Sequence, residues 1–143
     1  MKKTLLIMVI VSIICLTVTN CGKPKPAEII IDVDLTKLSG TMVYAEVYKM
    51  MTTPNDYLGK TIKVSGPYST SNYLDEIHHF VLVEGVDACC PEGLLFVWNG
   101  NHSFPDDYPK YGTQIEIVGV FASYAGFDFP YNCIEVDDLI ILD

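Results

Sequence analysis

The sequence predicts a mainly β protein, a small closed or partly open barrel preceded by a single α-helix. Three observations predict it. Short apolar and alternating segments follow one another from residue 60 onward, turn signals separate them at a spacing of roughly 8 to 15 residues, and the one stretch with helical periodicity comes before them all. At 143 residues, half of them apolar, the chain holds one domain with enough material for a core.

The chain opens with Lys2 and Lys3 and continues uncharged from Thr4 to Asn20, with only Ser12 interrupting the greasy centre Leu5 to Leu16. A spanning helix needs about 20 apolar residues, and Thr17, Thr19 and Asn20 leave too few, so residues 1–20 read as a signal peptide. Val18-Thr19-Asn20-Cys21 resembles the bacterial lipobox, with an aliphatic residue three places before a cysteine that becomes diacylated; Cys21 is therefore the expected lipidation site, carrying a palmitate-type chain. Residues 21–40 are expected to be a tether and extended lead-in. Gly22-Lys23-Pro24-Lys25-Pro26 forms neither helix nor central strand, and the weak alternation from Glu28 to Leu35 fits a short strand or an extended segment.

Residues 41–143 are assigned to the folded body. Thr41 is positioned to cap a helix over about Met42 to Met51, whose Val43, Val47, Met50 and Met51 recur on one face. Pro54 excludes Thr53 from helical geometry and ends it. Thr61 to Gly66 alternates as a strand with Ile62 and Val64 inward, and Gly66-Pro67 is expected to bend it. His79 to Glu84 and Leu94 to Trp98 are the next strands, with Asn99-Gly100-Asn101 a turn signal. Gln114 to Tyr124 is another, in which Gly119 marks a bulge or close approach, and Ile134-Glu135-Val136 leads to the last, Leu139 to Leu142.

Two blocks carry a family resemblance. Pro54-Asn55-Asp56-Tyr57-Leu58-Gly59-Lys60-Thr61-Ile62-Lys63-Val64-Ser65-Gly66 resembles the opening of small bacterial OB-fold domains of the tRNA anticodon-like type, in which a Tyr-x-Gly-Lys turn leads into the first barrel strand; Val118-Gly119-Val120-Phe121 is similar to the end of a later strand. Asp87 to Val97, with Cys89-Cys90-Pro91, looks like a motif of uncharacterised clostridial lipoproteins of that type, although Leu95 stands where the motif carries Glu. The resemblance spans about Ile31 to Leu142. It implies an OB-fold-like barrel on an exported, lipid-anchored protein, and imports no activity.

The charge balance bears on partners. Nine Lys and no Arg face 18 carboxylates, a net −9 that becomes −11 once Lys2 and Lys3 leave with the signal. Such a chain repels phosphate backbones, so no nucleic-acid partner is expected.

Candidate chemistry rests on few residues. Cys89 and Cys90 are adjacent, and Cys133 is expected in the loop before the last strand. Three thiols leave three alternatives: one disulfide with a spare thiol, reduced buried thiols, or a thiolate site for zinc or another metal. His102 is a conceivable fourth ligand. His78 and His79 point to opposite faces of a strand and are expected to be surface polar residues. The late aromatics Tyr124, Phe127, Phe129 and Tyr131, near Phe121, either grip a ligand or plug the barrel end. Asp106-Asp107 and Asp137-Asp138 fit solvated turns better than a Ca²⁺ site. Catalytic motifs such as Gly-x-Ser-x-Gly and His-Glu-x-x-His are missing from the sequence. The expected role is thus a membrane-anchored, extracytoplasmic ligand-binding or protein-interaction module rather than an enzyme; thiolate metal binding and a thiol nucleophile are the alternatives.

Overall fold

The computed structural model describes residues 29–73, 75–83, 91–125 and 130–142. Strand β1 is only Val33–Asp34, followed by a 3-10 turn at Leu35–Lys37 whose start is held by Asp34: its carboxylate accepts from the Thr36 amide and hydroxyl. Helix α1 covers Gly40–Thr52. Its N-cap is Ser39, not Thr41, because Leu38 and Ser39 are extended and the Val43 amide already reaches the Ser39 carbonyl (2.8 Å), which draws Thr41 into the first turn. Val47 and Met50 are buried on its inner face, with Val43 and Met51 partly so, as the periodicity required.

Five longer strands follow: β2 Thr61–Tyr73, β3 Glu76–Val83, β4 Glu92–Trp98, β5 Gln114–Tyr124 and β6 Tyr131–Ile141. The neighbour order is β1-β2-β3-β4-β6-β5, and β5 also pairs with β2, so β2 to β6 form a closed ring. Within the ring β4 and β6 run parallel and every other contact is antiparallel. Five strands in this order, with one parallel contact, make the fold mainly β and OB-like, as the sequence predicts.

Closing a ring with one long strand requires that strand to change partners. Residues Thr61 to Pro67 of β2 pair with β5, and Tyr68 to Tyr73 pair with β3. The expected bend at Gly66-Pro67 does not end the strand; it is the place where β2 passes from one neighbour to the other. Gly66 is needed there, since a Cβ would lie 2.0 Å from the Leu82 carbonyl oxygen. Gly119 behaves as the sequence indicated: the β5–β6 register slips between Ile117 and Gly119, where the two backbones crowd together.

The core inside the ring is built by the inward residues of every strand, among them Ile62, Val64, Tyr68, Val81, Leu94, Phe96, Ile115, Phe121 and Ile134. Each end is closed differently. At the end where β3 finishes and β4 begins, α1 packs on both strands, the Tyr44 hydroxyl meets Glu92 (3.5 Å), and Tyr57 packs edge-on against Phe121 while donating to Glu46 (2.6 Å). At the other end the β4–β5 connection, residues 99–113, folds back over the ring. The Asn99-Gly100-Asn101 signal thus opens a long crossing loop, not a hairpin, because β4 and β5 are not neighbours.

Candidate functional site

Alternation along β3 and β4 sorts their side chains. Val81, Val83, Leu94 and Phe96 point into the core, leaving His78, Phe80, Leu82, Leu95 and Val97 on the outward side. Register extends that surface: Phe80 stands opposite Leu95 and Ser69, and His78 opposite Ser71. Gly93 leaves room for the Phe80 ring, which approaches to 3.1 Å of where a Cβ would sit. In an OB-fold the face of the second and third ring strands, here β3 and β4, and the loops beside it are where ligands bind. Among the described residues that face carries Phe80, Leu82, Leu95 and Val97 beside His78, Ser69 and Ser71, and no lysine.

The predicted aromatic residues divide. Val97 pairs with Glu135 in the parallel ladder and Glu135 with Val120, so Glu135, Tyr131 and Tyr124 share the outward side with Phe80 and Val97. Tyr124 and Tyr131 close the β5–β6 ladder as a stacked pair, centroids 5.6 Å apart, and the Tyr124 hydroxyl donates to the Glu135 carboxylate. Both are about 40% exposed. Phe121, by contrast, is a core residue. Phe127 and Phe129 lie outside the described residues.

Cys133 is inside β6, opposite Ala122, rather than in a loop before it, and is 1% exposed. Burial pushes its thiol up to about 11, the reverse of what a nucleophile or a thiolate ligand needs. Cys21, Cys89 and Cys90 lie outside the described residues. Among the described residues no group of three or more His, Cys, Asp and Glu side chains could hold a metal ion. His102, the conceivable fourth ligand, instead stacks on Trp98 at 3.8 Å and donates its Nε2–H to the Asn99 carbonyl. In the acidic pairs Asp107 accepts from the Ser103 backbone amide, Asp138 from the Leu139 backbone amide and Asp137 from the Asn99 side-chain amide.

A second aromatic assembly, on the crossing loop, was not foreseen. Tyr108 stacks on His79 at 3.9 Å, Trp98 meets Tyr108 edge-on at 5.3 Å, and Phe104 lies 5.5 Å from His79. Beneath them the Tyr68 hydroxyl and His79 Nδ1 form a 2.7 Å hydrogen bond. His79 is therefore the base of the barrel-end plug, not a surface residue. His79, Trp98, Phe104 and Tyr108 thus form an aromatic plug at this end of the barrel.

Burial, and then His78 beside it, lower the His79 pKa from its ordinary 6.5. The unfolded chain therefore takes up a proton before the folded one does. Stability from this residue is whole above about pH 6.5 and is lost as the pH falls through the lower folded value. The urea midpoint should drop between pH 8 and pH 5, and by less in His79→Gln; equal drops in the two proteins would remove His79 from the account.

No protein-family model matches the chain, and a comparison with curated proteins finds no match. A solved structure similar to it is the dimeric N-terminal domain of PriB from Thermoanaerobacter tencongensis, 17% identical, with 58% of this chain and 96% of that chain covered and a TM-score of 0.39. The expectation that nucleic acid is not a partner rested on net charge alone and does not stand.

Proposed function

We propose that this chain is a lipid-anchored, extracytoplasmic binding module, held by an acyl chain on Cys21 and presenting the outward β3–β4 face to its ligand. The observation that carries the reading is that face. A barrel strand exposed to water alternates apolar and polar side chains, yet Phe80, Leu82, Leu95 and Val97 are apolar on the side that faces away from the core. The stacked Tyr124–Tyr131 pair flanks it, and the low-polarity surface with two serines and one histidine suits contact with a partner better than chemistry on one. The Lys2–Asn20 segment and Cys21 support export and anchoring.

Two measurements test it. Labelled palmitate should enter the full-length chain and the membrane fraction in a bacterial host, and Cys21→Ala should abolish both. A photo-crosslinking amino acid in place of Val97 should yield a discrete adduct in those cells, whereas the same group in place of Tyr111, on the crossing loop, should not. Identical patterns at the two positions, or none at either, would discard the binding face.

A further inference from the structure

Asn99-Gly100-Asn101 stands at the junction of β4 with the crossing loop, and Asn99 fastens that junction. Its backbone amide reaches the Val136 carbonyl (2.8 Å), its side-chain amide donates to the Asp137 carboxylate (3.1 Å), and its carbonyl oxygen accepts from the His102 Nε2–H (3.1 Å). Trp98, one residue earlier, donates to the Asp137 carbonyl (3.2 Å) and stacks on His102. Asn99 is also the only asparagine of the chain followed by glycine. Both residues are exposed, and among the described residues no backbone carbonyl accepts the Gly100 amide hydrogen.

An asparagine side chain can be attacked by the backbone nitrogen that follows it, and a following glycine hinders the attack least because it has no Cβ. The attacking species is the amide anion. His102 favours it: the hydrogen bond it places on the Asn99 carbonyl oxygen stabilises negative charge on the peptide group joining residues 99 and 100. We propose that Asn99-Gly100 is a self-modification site, activated by His102, whose product unfastens the crossing loop. The Gly100 nitrogen loses its proton and bonds to Asn99 Cγ, the Cγ–Nδ2 bond breaks, and the side-chain nitrogen leaves with that proton as ammonia. Water then opens the cyclic imide at either carbonyl, leaving aspartate or isoaspartate at position 99. Either product sets a carboxylate against the Asp137 carboxylate and ends the donation between the two side chains. The repulsion falls on the residue whose backbone carbonyl holds Trp98, so the Trp98 and His102 side of the plug loosens.

The test incubates the full chain in mildly alkaline buffer, folded and in urea, and follows each asparagine by peptide mass spectrometry. In the folded protein Asn99 should turn to acid ahead of Asn101. His102→Phe, which keeps a ring against Trp98 but has no Nε2–H, should slow that conversion about fivefold, the worth of one hydrogen bond of ordinary strength, and should change nothing in urea. His102→Leu serves in the same way should His102→Phe lose its sheet signal in circular dichroism. Asn99→Asp, the product made directly, should move Trp98 emission to the red and lower the urea midpoint, and adding Asp137→Asn should restore most of both. An Asn99 that stays an amide while Asn101 converts, equal folded-state rates with and without the His102 ring nitrogens, or an Asn99→Asp chain with the parent's emission and midpoint would each overturn the proposal.

Discussion

Gly119→Ala should destabilise the protein by about 3 kcal/mol or more, the upper part of the range for overpacking. The reason is backbone, not side-chain, crowding. A Cβ on Gly119 would lie 2.1 Å from the Glu135 carbonyl oxygen and 2.7 Å from methyl groups of both Ile134 and Val136. A flexible side chain could turn aside, but the carbonyl belongs to the β6 ladder, and moving it opens the β5–β6 seam at the bulge that sets the register. The contrasting substitution is Gly112→Ala, which meets nothing within 4 Å and carries only the strain of a φ of +83°. Urea unfolding followed by circular dichroism should rank Gly119→Ala far below Gly112→Ala; a ranking in the other order would show that β5 and β6 do not approach as described.

Phe96→Ala should cost about 3–5 kcal/mol, the usual range for deleting a buried aromatic ring. Phe96 is 1% exposed, stands at the middle of the ring where β4 meets both β3 and β6, and supports Tyr68 and His79 at centroid distances of 6.2 and 6.0 Å. Its removal therefore undermines the plug as well as the core. Trp98, the only tryptophan, sits against Tyr108 and His102 in that plug, so its emission should shift to the red in Phe96→Ala under conditions where the sheet signal persists. Unchanged emission together with an unfolding midpoint near the parent's would show that Phe96 does not hold the barrel end together.

Much of the architecture was legible because local chemistry and global fold agree. Gln114–Tyr124 was bounded correctly from its alternation, and Gly119 was flagged within it because a glycine in a strand usually marks a bulge or a close approach. The inner face of α1 followed from its spacing. What alternation cannot supply is partnership. Nothing local to Gly66-Pro67 says that β2 continues past them with a new neighbour, and nothing in the Asn99 to Thr113 segment says that it must cross the barrel end, since both facts follow from ring closure. His79 was misread for the same reason: its neighbours Tyr108 and Phe104 are more than 20 residues away. The β3–β4 face left a signal that could have been used, since Phe80-Val81-Leu82-Val83 and Leu94-Leu95-Phe96-Val97 are continuous apolar runs rather than alternating ones, the pattern of a strand with contacts on both sides.

The two-residue β1 has a mechanical meaning. It joins the ring only through Val33 opposite Ile62 and Asp34 opposite Lys63, helped by the Asp32 amide on the Thr61 carbonyl (2.9 Å) and the Asp32 carboxylate on the Thr61 amide (2.8 Å). Tension applied to the chain ahead of Ile31 loads these few bonds first. They act as a fuse: the leading segment peels away first, and the five-stranded ring, whose hydrogen bonds close on themselves, stays paired while Leu35 and α1 remain in the core.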